Sequence, residues 1–203
     1  MIVPVKVSAK TITDYTEDVT LYPKSSPSYL DKQEVGACGG KTKITNIKYT
    51  NKSIAKVTTG KKSYGYVLYV QPKKTGTLNI TYKIGKDTHK VKVYVKKYVN
   101  PYKQIKINGK DITSKFNKTN VCVLSYKQYK GKTVKLSFKR KRPWLMPHGD
   151  YVTKSNKLIQ CIGGMSDPSK FKVTKKDSKA ALWTTDTSET GHEMSEDCMI
   201  IFR

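Results

Sequence analysis

Apolar and polar residues alternate along most of the chain, and the clearest alternation surrounds the pair Gly85-Lys86. Apolar side chains stand at every second position on both sides of that pair: Leu78, Ile80, Tyr82 and Ile84 before it, Val91, Val93 and Val95 after it. Successive side chains of a strand point to opposite faces, so a period of two interrupted by glycine predicts a half-buried antiparallel hairpin.

The first half of the chain contains further short strand-like runs separated by Gly, Pro, Ser and Lys. With the hairpin, these runs predict strands at 3–8, 19–22, 44–49, 55–58, 66–71, 77–84 and 88–95. Short strands at regular spacing are typical of a β-sandwich. The segment 28–34 lacks strand character, and it is predicted to form a single helical turn or a loop.

A domain boundary is predicted where the last valine-rich strand runs into Asn100-Pro101, because proline cannot donate to a strand ladder. The second half restarts at 105–107 and continues into Asn108-Gly109, a strong hairpin signal. Further strands are expected at 120–126, 133–139, 158–162, 171–174, 180–184 and 198–202. The predicted fold class is all-β, with two tandem β-sandwiches over residues 1–98 and 99–203.

The first half resembles the bacterial immunoglobulin-like repeat of group 2. The resemblance is carried by Ile54-Ala55-Lys56-Val57, which follows the family's "VAxV" pattern, by Gly76 to Ile80, which follows "GxxxI", and by the final valine-alternating strand. The resemblance implies an immunoglobulin-like sandwich and an exported, non-catalytic module. The start departs from the family, since the usual "GxxxxL" strand is replaced by the sequence of residues 16–40.

The second half resembles the irregular immunoglobulin-like domain that follows such repeats in surface proteins of Gram-positive bacteria. The matching features are Asn100-Pro101, the "I.I.NGK" run at 105–110 and the lysine-containing segment 116–120. Residues 186–191, followed by the strand at 199–202, look like that family's closing hairpin. The resemblance therefore implies two immunoglobulin-like β-sandwiches.

The chain is strongly basic, with a net charge of +25, and only Arg140, Arg142 and Arg203 of its 40 basic residues are arginine. The excess is spread evenly, +13 over 1–100 and +12 over 101–203. Specific nucleic-acid binders concentrate charge on one face and use the arginine fork, so a specific nucleic-acid partner is not expected. Two interpretations stay open: a solvated lysine coat, or attraction to surface polyanions such as wall polymers or acidic glycans.

The four cysteines, Cys38, Cys122, Cys161 and Cys198, form no CxxC pair and do not lie at metal-ligand spacing from a histidine. We expect buried thiols and no metal. The acidic residues between 186 and 197 do not follow the pattern of a calcium loop. The sequence contains no GxSxG, HExxH or glycine-rich phosphate motif, so we expect neither an enzyme nor a cofactor.

The most site-like segment is 138–149, which combines two arginines, a tryptophan and two prolines in what is predicted to be a stiff loop. Tryptophan beside cations can stack on a sugar ring or cover an anionic group. The candidate ligand-binding residues are therefore Arg140, Arg142, Trp144 and His148. The alternative is that Trp144 closes the end of the sandwich core while the cations face water.

These observations favour a non-catalytic extracellular or cell-surface module of a bacterium, an adhesion or spacer protein that presents loops to a host surface, a cell-wall polymer or a glycan. The alternative is a polyanion- or carbohydrate-binding module that uses its lysine-rich surface and the Trp144 loop. We expect a monomer without a transmembrane segment, because no stretch of about twenty apolar residues is present. No secretory signal is evident at the start, so we expect a mature or truncated form of an exported protein.

Overall fold

The computed structural model describes residues 11–141, 145–163, 169–186 and 194–203, and the side chains of most of them. Contacts between Cα atoms divide these residues into two compact units. The first unit contains 11–21 and 28–96, and the second contains 22–27 together with the described residues from 97 onwards. The domain limits 1–98 and 99–203 stay a prediction.

The first unit contains seven strands among its described residues, arranged in two sheets. The strands are β1 (Thr11–Leu21), β2 (Gln33–Gly39), β3 (Ile44–Tyr49), β4 (Ala55–Lys62), β5 (Gly65–Pro72), β6 (Gly76–Ile84) and β7 (Asp87–Lys97). One sheet has the order β1-β7-β6-β3 and the other β2-β5-β4. A 3₁₀ turn, Ser28–Asp31, precedes β2.

The β6–β7 hairpin forms as its alternation predicts, with an antiparallel register from Gly76 opposite Val95 to Ile84 opposite Asp87. Gly85 adopts φ +61 in the two-residue turn, a conformation that favours glycine. The inward side chains of both sheets form one buried core, which includes Val35, Leu68, Val70, Leu78, Ile80, Val91 and Val93. Burying a side chain of this size contributes roughly 1.5–3 kcal/mol.

The second unit contains nine described strands in two further sheets, with the orders β10-β16-β15-β12-β13 and β14-β11-β8-β9. The strands are β8 (Tyr102–Ile107), β9 (Lys110–Asp111), β10 (Val121–Leu124), β11 (Thr133–Arg140), β12 (Leu145–Val152), β13 (Leu158–Gly163), β14 (Ser169–Lys172), β15 (Ser178–Asp186) and β16 (Met194–Phe202). The short helix α1 spans Tyr126–Tyr129, and a 3₁₀ turn spans Thr113–Phe116.

The core of the second unit is formed by side chains from both of its sheets, including Ile105, Ile107, Val134, Leu136, Phe171, Leu182, Ile200 and Phe202. The Asn108-Gly109 pair turns between β8 and β9 with φ +50 and +84, as a type I′ hairpin requires. Among the described strands of the second unit, the pairing is antiparallel except between β10 and β16, which run parallel. Together with the first unit, this confirms the predicted all-β fold class with two β-sandwiches.

Residues 22–27 belong to the second unit, although they follow β1 in sequence. The Ser26 hydroxyl donates to Asn120 Oδ1 at 2.5 Å, and the hydroxyls of Ser25 and Thr119 lie 2.6 Å apart. The Tyr22 hydroxyl accepts a hydrogen bond of 3.1 Å from the backbone N–H of Asp197. The second unit is therefore assembled from two separate pieces of the chain.

Several sequence predictions are wrong in detail. Strand β1 spans Thr11–Leu21 rather than 19–22, and β14 spans Ser169–Lys172 rather than 171–174. The strand predicted at 3–8 lies outside the described residues. Gln33 and Glu34 belong to strand β2, so only the first part of 28–34 is a turn. Strand β10 ends at Leu124 rather than 126, because helix α1 follows at once. Residues 145–149 belong to strand β12 rather than to a loop, and a register shift between Leu145 and His148 accommodates Pro147.

Candidate ligand-binding surfaces

The four residues predicted to bind a ligand are described only in part. Arg140 is the last residue of β11, lies opposite Tyr102 in register and is exposed. His148 is a residue of β12, with backbone pairing to Gly163 and Trp183, but its side chain lies outside the described residues. Arg142 and Trp144 also lie outside them. A ligand-binding role for these four residues stays a prediction.

The cysteines form no disulfide, and three of them are buried. Burial raises the pKa of Cys122, so its thiol stays protonated at neutral pH and is a poor nucleophile. The expectation of a buried thiol is wrong for Cys161, which is exposed in β13 at the edge of the five-stranded sheet. Cys161 precedes the buried Ile162 in the same strand, and successive side chains point to opposite faces, so Cys161 lies on the outer face of the sheet.

Within the parts of the chain that the structure covers, no group of three or more His, Cys, Asp or Glu side chains could hold a metal ion. Among the same residues, no helix has the length and apolar character needed to cross a membrane.

Four lysines surround a groove of about 620 Å³ in the second unit, here called the lysine groove. It is lined by Thr153, Lys154, Ser155, Lys157, Lys175 and Lys176, a set with four positive charges and no carboxylate. The nearby Asp177 accepts a 2.9 Å hydrogen bond from Arg203 Nε, which holds the pKa of Asp177 below its usual value. Its other carboxylate oxygen lies 3.9 Å from Lys154 Nζ, so Asp177 pairs with both Arg203 and one of the groove lysines.

The backbone that carries these lysines is fixed by two turns. Between β12 and β13, Thr153 Oγ1 accepts the Lys157 N–H at 3.1 Å, and the Asn156 N–H donates to the Thr153 carbonyl at 3.0 Å. Before β15, the Ser178 hydroxyl donates to the Lys175 carbonyl at 2.6 Å. Fixed turns hold like charges together, and such an arrangement attracts anions.

A second groove, of about 710 Å³, lies on the first unit and is here called the tyrosine groove. Its walls are the 3₁₀ turn before β2 and the outer side of strands β2, β5 and β4; its lining includes Tyr29, Asp31, Lys32, Glu34, Lys62 and Tyr69. The lysine and carboxylate charges are equal in number. The lining of the tyrosine groove therefore has no net charge, although the whole chain has a net charge of +25.

The central side chains of the tyrosine groove hold one another in place. Lys62 forms an ion pair with Glu34, and the Tyr64 hydroxyl donates to the other Glu34 oxygen at 2.7 Å. The Lys62 ammonium lies 5.8 Å from the centre of the Tyr69 ring and 5.6 Å from that of Tyr64, within cation–π range. Hydrogen bonding to Tyr64 raises the pKa of Lys62, so this cation stays charged.

Neither groove was predicted from the sequence. The lysine groove combines two turns that are about twenty residues apart, and lysine is so frequent that these four do not stand out. The tyrosine groove depends on β2, a strand whose pattern was not recognised. The register of Glu34 opposite Tyr69 in the β2–β5 pair is what brings those two residues together.

No family model matches the chain, and no curated protein matches it. Among solved structures, the tandem Ig repeats of Dlar are 12% identical over 93% of this chain and 94% of theirs, with a TM-score of 0.35. The fibronectin(III)-like modules of Clostridium thermocellum CbhA are 10% identical over 93% and 90%, with a TM-score of 0.29. The Yersinia pseudotuberculosis adhesin InvE is 11% identical over 80% of this chain and 49% of its own, with a TM-score of 0.20. These TM-scores lie below 0.5, so the likenesses carry no argument about function.

Proposed function

We propose that this chain is a non-catalytic, extracellular or cell-surface module of a bacterium, in which a group 2 immunoglobulin-like repeat and a second immunoglobulin-like domain act in adhesion or as a spacer. The observation that supports it is that each unit has its own core, closed by two sheets of paired strands. Rigid sandwiches of this kind hold their turns and outer faces in fixed positions, where a ligand can be bound.

The buried thiols support a non-catalytic role. A cysteine hydrolase needs a thiolate, and the pKa of Cys122 is raised rather than lowered. The exposed Cys161 lies on an edge strand opposite Asp150, a carboxylate that cannot act as the positive partner of a thiolate. The chain therefore supports binding and display better than covalent catalysis.

Adhesion can be tested with the purified chain on beads. Beads that carry the chain should bind to host epithelial cells or to isolated Gram-positive cell walls more than beads that carry an immunoglobulin-like sandwich of matched net charge. Protease treatment of intact cells of the bacterium that encodes the chain should remove it from the surface. Equal binding by both kinds of bead, together with protection from protease, would refute the proposed function.

The lysine groove favours a second function, the binding of a surface polyanion. Four clustered lysines, one of them paired with Asp177 at the rim, suit a polymer that carries repeated negative charges, and the net charge of +25 would speed its approach. Lysine supplies point charges rather than a planar fork, so the contact would select for charge density more than for one anion geometry. In this function Trp144 would orient a sugar of the polymer, and Arg140, Arg142 and His148 would add contacts.

Polyanion binding can be tested with soluble polyglycerol phosphate, a phosphodiester polymer. Replacement of Lys154, Lys157, Lys175 and Lys176 by Gln should weaken binding and should lower the salt slope of log K by roughly three to four. A matched control replaces four exposed lysines of the first unit, Lys41, Lys43, Lys86 and Lys90, and removes the same charge.

If both quadruple variants bind the polymer more weakly by the same factor, the loss comes from the lower total charge of the chain, and the lysine groove is not the binding site. Trp144→Ala tests the predicted loop separately. Binding that is insensitive to both salt and Trp144→Ala would eliminate this second function.

A further inference from the structure

We propose that the tyrosine groove is a carbohydrate-binding site that takes an uncharged pyranose ring. The proposal rests on the proposed adhesion role and deepens it, because it names the ligand class and places the contact on the first unit. The groove volume of about 710 Å³ lies within the range of about 300–1,000 Å³ that is usual for small-ligand sites.

The balance of charge in the groove argues against an anionic ligand. Asp31 and Glu34 offset Lys32 and Lys62, and the Lys62 ammonium already forms an ion pair with Glu34. A phosphate or sulfate would have to displace that carboxylate, and two carboxylates in the lining would repel it. This separates the tyrosine groove from the lysine groove, which has no carboxylate in its lining.

The aromatic rings supply a flat apolar surface. Tyr29 is 48% exposed, so part of its ring is open to a ligand. The Tyr69 ring lies against Gly60 of the neighbouring strand, where a Cβ atom would lie 2.7 Å from Cε2 of the ring. Glycine at this position allows the ring to lie flat on the sheet, and the apolar C–H face of a pyranose can stack on it beside the Lys62 ammonium, which lies 5.8 Å from the ring centre.

The polar groups around the rings match a sugar's hydroxyls. Glu34 is held by Lys62 and by the Tyr64 hydroxyl, so its orientation is fixed before a ligand arrives. A carboxylate has more lone pairs than these two donors use, and sugar hydroxyls can donate to the remainder. Gln71 also lines the groove and offers both a donor and an acceptor amide. A fixed polar rim reduces the entropy lost on binding.

A proline-rich peptide is the competing ligand, since polyproline segments also dock in grooves lined by aromatic rings. Proline has no N–H, so such a segment presents mainly carbonyl acceptors. The carboxylates Asp31 and Glu34 are acceptors as well, and they require donors from the ligand. A sugar supplies a donor at every hydroxyl, and the lining therefore favours a glycan over a proline-rich peptide.

The test uses the full chain and two soluble probes, cellotriose and chitotriose, with binding followed by saturation-transfer NMR and by titration of aromatic fluorescence. Saturation transfer should be strongest on the ring C–H protons of at least one probe. Tyr69→Ala and Glu34→Gln should each weaken binding about tenfold or more. Binding should also be nearly unchanged in high salt, because the stacked ring is uncharged.

Gly60→Ala keeps every side chain of the groove and displaces only the Tyr69 ring, so it should weaken binding without unfolding the unit. The matched control is Tyr94→Ala. Tyr94 also has a lysine over its ring, with Lys92 Nζ 5.0 Å from the ring centre, but it does not line the groove. Tyr94→Ala should leave the affinity unchanged.

Two results would overturn the proposal: failure of both probes to bind, or equal affinities for the wild type and the Gly60→Ala and Glu34→Gln variants. Binding of a proline-rich peptide in place of the sugars, lost on Tyr69→Ala, would assign the groove to the competing class. Adhesion of bead-bound chain that persists in the Gly60→Ala variant would refute the groove while leaving the proposed adhesion role intact.

Discussion

Asp197 lies in β16 of the second unit, where burial raises the pKa of its carboxyl to about 6 from the ordinary 3.8. Its backbone N–H donates to the Tyr22 hydroxyl, and Trp183 lies opposite it in the antiparallel register with β15. Leu182 and Cys198, the next pair along these two strands, are fully buried. The carboxylate is thus held at the margin of an apolar core, where its charged form is poorly solvated.

The raised pKa of Asp197 makes the folded state less stable at neutral pH than at acidic pH. Between pH 3.8 and about 6 the folded state keeps the proton of Asp197 while the unfolded state loses it, so stability falls as the pH rises through this window. A difference of about two pKa units, at about 1.4 kcal/mol each, amounts to up to about 3 kcal/mol at neutral pH. At about pH 4 and below, the carboxyl is protonated in both states and the penalty is largely absent.

Asp197→Asn removes the charge and keeps the shape of the side chain. The variant should be more stable than the wild type by up to about 3 kcal/mol at about pH 7.5, and the gain should shrink to nearly zero at about pH 4. Urea unfolding followed by circular dichroism at several pH values measures this difference.

Asp177→Asn is the matched control, because Asp177 is a carboxylate of the same unit whose pKa is lowered by Arg203. Its positive φ of +59 is tolerated by asparagine. This variant should lose stability at neutral pH, the opposite direction. A pH-independent difference between Asp197→Asn and the wild type would refute the reasoning.

Two further predictions concern the cysteines and the first unit. In the native chain a thiol reagent should label Cys161 at once and the three buried cysteines only after unfolding; rapid labelling of more than one thiol per chain would contradict the described burial. Gly36→Ala should lower the free energy of unfolding by about 1–3 kcal/mol, because its Cβ would lie 2.6 Å from the Tyr15 hydroxyl, which donates to the Val35 carbonyl. Gly39→Ala in the same strand has no atom closer than 4.0 Å to its Cβ and should be nearly neutral, so equal losses in a urea titration would contradict the role of the Tyr15 contact.

The parts of the fold that could be predicted are those where both strands of a hairpin keep a period of two. In β6 and β7 the residues with alternating apolar side chains are also the buried ones, except for the half-buried Ile84 beside the turn at Gly85. Asn108-Gly109 was predictable for the same local reason, since both residues adopt the positive φ that their types favour. In such segments the local sequence pattern and the packing of the core both require the same strands and the same turn.

The strands that were missed break this period for a physical reason. In β2, Val35 and Cys38 are both buried although they are three residues apart, because a register shift lies between Glu34 and Gly36. In β12 another register shift accompanies Pro147, so the strand carries a residue that usually argues against one. The inclusion of residues 22–27 in the second unit depends on hydrogen bonds to residues far away in sequence, which no local pattern records.

The same breaks in the pattern determine where the two grooves form. A strand with strict alternation has one face in the core and one face of solvated lysines, which leaves little room for a shaped site. The tyrosine groove uses the irregular strand β2 and the turn before it, which let Glu34 reach Lys62 and Tyr64 of the neighbouring hairpin. The lysine groove uses two turns whose backbone bonds to Thr153 and Ser178 bring separate lysines together. In this chain, therefore, the regular strands specify the sandwiches and the irregular segments create the two grooves. Composition alone indicated a high positive charge, but it could not indicate where on the surface the lysines cluster.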